Sequence, residues 1–161
     1  MTEQQLNLLS FYKGWDVYHS LLIKAVAPLS SEELALRAAP HLRSVGENAA
    51  HLISGRVGNF MVLGEVGAEM APLEQWDVPG APLRSAAELV SGLESTWQMI
   101  QMALVRWTPA DLEDVFVDGE GEQAPRFTRQ SLIWSTIKHD LHHGGEISLT
   151  LGVHGVEALD L

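Results

Sequence analysis

Cysteine is absent from the 161-residue chain. Its absence excludes disulfides, thiolate catalysis by the protein itself and every zinc site built on sulfur, so a transition-metal site must use histidine, carboxylate and water. Basic side chains are scarce: 10 Lys and Arg against 21 Asp and Glu give a formal charge of −11. Such a surface repels phosphate backbones and anionic bilayers, which argues against nucleic acid and against a membrane as partners. Long apolar runs are missing too, none approaching the roughly 18 residues that span a bilayer. The opening MTEQQLNLLS has neither the basic stretch nor the apolar run of a secretory signal. The expectation is a soluble, cytoplasmic protein. At 46% apolar residues the chain can build a core, and its length suits one domain, taken as residues 1–161.

What is present is helical periodicity with clear punctuation. Leu8, Phe11, Tyr12, Trp15, Tyr18, Leu22 and Val26 recur at intervals of three and four, which predicts a helix over Glu3 to Ala27 ended by Pro28. Ser30 to Glu33 reads as a capping box for a short helix broken near Pro40. Ser44-Val45-Gly46-Glu47 is a second box, opening a helix to about Gly64 with Val45, Ala49, Leu52, Ile53, Phe60 and Leu63 inward. A third box, Ser85 to Glu88, opens the helix carrying Leu89, Leu93, Trp97, Ile100, Leu104 and Trp107. Between the last two, Glu65 to Arg84 dissolves into Gly, Pro and mixed residues and is expected to be a loop, a length often associated with function. Thr108-Pro109 begins a short helical turn through Asp114, and Val115 to Arg126 is expected to be extended without notable strand pairing. Thr128 caps a last helix to about Leu151, leaving Gly152 to Leu161 as a peripheral tail. Four long helices with one long loop between the second and third, and no internal repeat, predict an all-α four-helix bundle.

The last helix contains HDLHHGG, His139 to Gly145. His139 and His143 are one turn apart, so both imidazoles can reach one point. His142, three residues from His139, is a rival by spacing. Ile133, Trp134, Ile137, Leu141 and Ile147 are expected to cover the apolar arc and Ser131, Ser135, Lys138 and His142 the polar one, with His139 and His143 on the border. Glu146 follows one turn on as a fourth ligand, an acceptor for an imidazole N–H, or a solvated acid. Gly144 and Gly145 each cost a helix about 1 kcal/mol against alanine. Close helix approach or room beside a ligand would offset that, unless the pair ends the helix. For a third ligand His51 is best placed, on a polar or small stripe with Glu47, Asn48, Gly55 and Gly58; His19, His41 and His154 are weaker. The ordinary alternative for each histidine is a hydrogen-bonded or solvated structural role, and HxxxH also occurs by chance on exposed helices. A di-iron carboxylate bundle is excluded because it needs two Glu-x-x-His motifs on separate helices.

These stretches, SVGE leading to His51-Leu52 and HDLHHGGEI at His139 to Ile147, about ninety residues apart, resemble the DinB-like superfamily. Its members include DinB and YfiT-type proteins and the related mycothiol-dependent maleylpyruvate isomerases. The resemblance implies a four-helix bundle, often a homodimer, holding one divalent metal through His51, His139 and His143. Gly144 stands where such proteins often carry a basic residue. Three neutral imidazoles leave open positions on the ion, a catalytic form of site. Zinc is the first choice on ligand type, with nickel, iron and manganese also accepting imidazole.

Two functional expectations follow. In the first, the protein is an enzyme on a small-molecule substrate. The metal activates water for hydrolysis, or binds and deprotonates an external low-molecular-weight thiol for S-transfer. Glu146 would then assist proton transfer, while Tyr12, Trp15, Asp16 and His19 would line the pocket. In the second, the metal is structural or sensory and the protein is a non-catalytic stress-response or interaction module.

Overall fold

The computed structural model describes residues 7–160. A 3-10 turn at Leu8–Ser10 precedes helix α1, Lys13–Val26. The predicted start at Glu3 lies outside the described residues, and α1 itself begins only at Lys13. The short α2, Ser31–Leu34, follows. Then come the long α3, Val45–Val62, and α4, Ala86–Arg106. A three-residue strand pair, β1 (Val115–Val117) and β2 (Arg126–Thr128), leads into α5, Arg129–Val153. Four long helices thus form a bundle, as expected. Among the described residues no helix is long and apolar enough to cross a membrane.

The helix starts are set by local chemistry. Ser30, Ser44 and Ser85 each accept from the backbone N–H three residues on, and Glu33, Glu47 and Glu88 reach back to the cap N–H. Two orphan donors are satisfied at each start. Thr128 caps α5 by accepting from Ser131 N–H at 3.1 Å. Gly144 and Gly145 lie inside α5, so they do not end it.

Where the sequence expectations fail, tertiary packing is the reason. The stretch 65–84 is no open loop: Ala71–Asp77 winds into a 3-10 helix packed along α3. The strand pairing not expected in the sequence is a small antiparallel ribbon with Phe116 opposite Phe127, both packed on the core. Trp134 and Leu141, expected inward, are 61% and 47% exposed. The buried stripe of α5 runs instead through Leu132, Ile133, Thr136, Asp140, Gly144, Ile147 and Leu151. The tail is less peripheral than expected, because Val156, Ala158 and Leu159 pack onto the core.

The core falls into two clusters. One holds Leu22, Leu52, Ile53, Leu93, Ile147 and Leu151 among others. The other holds Trp15, Phe60, Trp97, Ile100, Leu132 and Ile133. Between them, α3 and α5 meet through small and polar side chains, and the histidines lie there.

Candidate metal centre

His51 sits midway along α3, and His139 and His143 stand one turn apart on α5. The packing of these two helices brings all three imidazoles together. Their ring centroids form a near-equilateral triangle with sides of 4.6, 4.4 and 4.6 Å. One nitrogen from each lies within 4.8 Å of the other two, an arrangement that could hold a metal ion. His142 joins His143 and Glu146 in a second, more exposed group instead, so the rival pairing with His139 is not the one the fold assembles.

The neighbours orient the rings. Asp77 Oδ2 lies 2.5 Å from His51 Nδ1, and Glu146 Oε2 lies 2.7 Å from His143 Nδ1. A carboxylate accepts, so each Nδ1 carries the proton and each Nε2 is left with a bare lone pair. His51 Nε2 faces His139 Nε2 at 3.0 Å. Two nitrogens bound to one ion at about 2.0–2.1 Å stand roughly 3.0–3.4 Å apart, so the donors are close to ligation spacing. His139 Nδ1 is buried with no hydrogen-bond partner. Its ring lies directly against Gly55, where a Cβ would come within 2.9 Å of Nδ1 and 3.0 Å of Nε2. A missing side chain on α3 therefore makes the seat for the imidazole. On these grounds the three imidazoles could hold a metal ion.

The electrostatics agree. Burial, reinforced by the neighbouring His143 and His51, lowers His139 to about 4. Burial also lowers His143, opposed by its hydrogen bond to Glu146. Near neutral pH both are uncharged and able to donate lone pairs. Beside His139 opens a groove of about 820 Å³, lined by Gly55, Gly58, Asn59, Ser135, Lys138 and Phe127 among others.

The other expected site residues are placed differently. Glu146 is an acceptor for His143 rather than a free acid, and its second oxygen lies 3.5 Å from His142. Tyr12, Trp15, Asp16 and His19 are not brought to the three histidines and do not line the groove beside His139. Tyr12 packs edge-on to Trp15, whose indole N–H donates to Asp140 Oδ2 at 2.7 Å. Asp16 accepts from Trp97 Nε1 at 3.0 Å, and His19 stacks on the Trp97 ring. Trp15 and His19 are buried on the core-facing side of α1, whereas Asp16 is exposed and Tyr12, the residue before the helix, is half-buried; all four serve here as packing or hydrogen-bonding groups. Gly144 is where Tyr18 crosses α5: a Cβ there would overlap the phenol oxygen.

Three residues at or behind the centre were not singled out from the sequence. Asp77 belongs to the segment read as loop, and only its docking on α3 makes it a partner of His51. Arg56 and Asp140 are fully buried and paired at 2.7 Å. Their signal was present: Arg56 falls on the stripe of Ala49, Ile53 and Phe60, and Asp140 on that of Ile133, Thr136 and Ile147. Opposite charges on two core stripes announce a buried pair.

Comparison with known proteins places the chain in a family. The model of the DinB superfamily matches residues 15–147, a span that contains all three histidines. The chain belongs to the DinB superfamily. Solved structures share the DinB fold. A DinB-like protein from Bacillus cereus is 19% identical, with a TM-score of 0.76 over 98% of this chain and 99% of that one. A conserved protein from Enterococcus faecalis is 17% identical, with a TM-score of 0.70 over 91% and 99%. The DinB-like YjoA from Bacillus subtilis is 15% identical, with a TM-score of 0.62 over 96% and 93%. At such identities the likeness establishes the DinB fold and nothing about chemistry. No curated protein matches the chain.

Proposed function

We propose that this DinB-superfamily protein is a metal-dependent enzyme acting on a small molecule, with His51, His139 and His143 as the three ligands of one divalent transition metal. The observation that carries the reading is the approach of His51 Nε2 and His139 Nε2 to 3.0 Å, with carboxylates on the far nitrogens of His51 and His143. Zinc suits an all-imidazole, sulfur-free donor set best, with nickel, iron and manganese as alternatives. When bound, such an ion supplies Lewis acidity toward water, for hydrolysis, or toward an external low-molecular-weight thiol, for S-transfer.

The chain's own residues do the rest. Asp77 and Glu146 hold their imidazoles in the tautomer that points Nε2 inward, and their charge raises ligand basicity. The groove reaches one of the three proposed ligands, His139, and offers a small substrate room beside it, with Lys138 on its wall to meet an acidic group. Glu146 is 42% exposed and so remains within reach of solvent for proton exchange. Trp134, Leu141 and Leu149 form an exposed apolar stripe on α5 that supports assembly as a homodimer.

One observation favours the second reading, a structural or sensory metal in a non-catalytic module. Asp77 and Glu146 are both already hydrogen-bonded to imidazoles, so neither stands free as a general base. Elemental analysis of untagged protein purified without added metal tests the shared premise, and a thiol and ester panel separates the readings. Metal-dependent turnover abolished by His143→Ala in a folded protein supports the enzyme. No turnover by the fully metallated protein, with a large loss of thermal stability on chelation, supports the module.

A further inference from the structure

The two apolar clusters of the core are separated by a buried polar layer to which each long helix contributes one residue. His19 on α1 lies between Trp15 and Leu22, and Arg56 on α3 lies between Ile53 and Phe60. Thr96 on α4 lies between Leu93 and Trp97, and Asp140 on α5 lies between Ile133 and Ile147. Arg56 links them all. Its Nη2 donates to Asp140 Oδ2 at 2.7 Å and its Nε to both carboxylate oxygens at 3.1 Å. Its Nη1 reaches Leu93 O at 3.2 Å, Thr96 Oγ1 at 3.3 Å and His19 Nδ1 at 3.4 Å. Trp15 completes the shell of Asp140 with its indole N–H.

The layer is in step with the histidines. Gly55 receives the His139 ring, and the next residue on each helix, Arg56 and Asp140, makes the ion pair. At this level α3 and α5 also meet through Gly55 and the Asn59–Thr136 hydrogen bond of 3.1 Å, while their apolar contacts lie in the two clusters on either side. The hydrophobic effect is non-directional, whereas a forked guanidinium–carboxylate contact adds geometric specificity. A buried ionic group contributes little net stability against an apolar replacement, and its best-attested use is to fix register.

We propose that Arg56 and Asp140 are positioning residues for the three-histidine centre: the polar layer locks the register of α3 against α5, and that lock holds His139 over Gly55 and against His51. The inference rests on the metal-binding reading for its consequence but not for its geometry.

The test replaces the layer with apolar groups and reads register and metal affinity separately from stability. Replacing one member of the pair strands a buried charge, so Trp15→Phe, Arg56→Met and Asp140→Leu are combined, leaving no unpaired buried charge behind, although His19, Thr96 and Leu93 O lose the Arg56 donor. Arg56→Lys, which keeps the charge without the fork, is the second variant. The readouts are the NOE between the His139 ring and the Gly55 α-protons in metal-free protein, and zinc affinity by competition with a chromophoric chelator. In both variants, with cooperative melts confirming the fold, the proposal expects the NOE to weaken. Zinc binding should fall by tenfold or more in the triple variant and by a smaller factor in Arg56→Lys. A full-strength NOE in a folded variant overturns the proposal, as does unchanged zinc affinity. Should the triple variant not fold, Arg56→Lys decides alone. Should the unaltered protein bind no zinc, the metal reading fails while the NOE still decides the register.

Discussion

Replacing Gly55 with alanine should remove His139 from the metal centre while leaving α3 helical. The added Cβ would stand 2.9 Å from His139 Nδ1 and 3.0 Å from Nε2, where ordinary heavy-atom contact is about 3.5–4.0 Å. The nearest ring atom, Cε1, would be closer still, so the imidazole must retreat by more than about 1 Å, and α5 cannot yield freely because Asp140 is tied to Arg56 one residue on. Metal–ligand distances tolerate about ±0.2 Å, so a displacement several times larger costs the ligand. Losing an orienting neighbour alone costs about 10–100-fold in metal affinity. Losing a ligand should cost at least about 100-fold, or about 2.7 kcal/mol. The fold should survive, since alanine is favoured over glycine within a helix by about 1 kcal/mol, which partly offsets the crowding. Gly58→Ala is the control: it lies on the same stripe of α3 with nothing within 4 Å of the new carbon. Chelator-competition titration with zinc measures both. If Gly55→Ala binds as tightly as the unaltered protein, His139 is not a ligand and the reasoning is refuted.

Four further outcomes follow. Asp77→Asn leaves His51 without its carboxylate acceptor and should lower zinc affinity by about 10–100-fold with little change in melting temperature; equal affinity would show that the 2.5 Å contact does not tune the site. Asp140→Ala strands the fully buried Arg56 charge and should cost about 3–5 kcal/mol in urea unfolding, and a cost under about 1 kcal/mol would contradict the burial of the pair. Gly145→Ala, with open space around it, should stabilise α5 by up to about 1 kcal/mol, whereas Gly144→Ala must displace Tyr18 and should destabilise. Acid should weaken the metal-free fold: burial, with Arg56 nearby, lowers His19 to about 3, so below pH about 6.5 the unfolded chain takes up a proton that the folded chain refuses. The His19 share is fully present above pH about 6.5 and is lost at about 1.4 kcal/mol per pH unit down to pH about 3. His139 and His143, also lowered by burial, add to the slope, so His19→Gln should make it shallower by about 1.4 kcal/mol per pH unit in urea melts.

The parts of the fold legible in the sequence are those decided locally. Each Ser-x-x-Glu box states its own helix start because both partners lie within one turn, and all three are formed. His139 and His143 were legible as a pair for the same reason, being fixed by the pitch of a single helix. Asp77 was not, because its meaning depends on how a 3-10 segment rich in turn residues docks against α3, a contact between residues 26 apart. Trp134 misled because residue type was weighed above phase: it is large and apolar, but the stripe that faces α3 runs through Ile133, Thr136 and Asp140. The same emphasis hid Asp140, a charge on the core stripe that gains its meaning only when Arg56 arrives from another helix. The helix-one residues Trp15 and His19 were grouped correctly as neighbours. Their side of α1, however, faces the polar layer of the core.

The central claim is that three imidazoles share one cation. X-ray absorption at the zinc edge of the metal-loaded protein tests it most directly, because imidazole multiple scattering counts the rings bound. The account predicts three histidine nitrogens at about 2.0–2.1 Å with at least one further light-atom ligand from solvent, and one ring fewer in His51→Ala. A spectrum with two or fewer imidazoles, or one unchanged by His51→Ala, would contradict it.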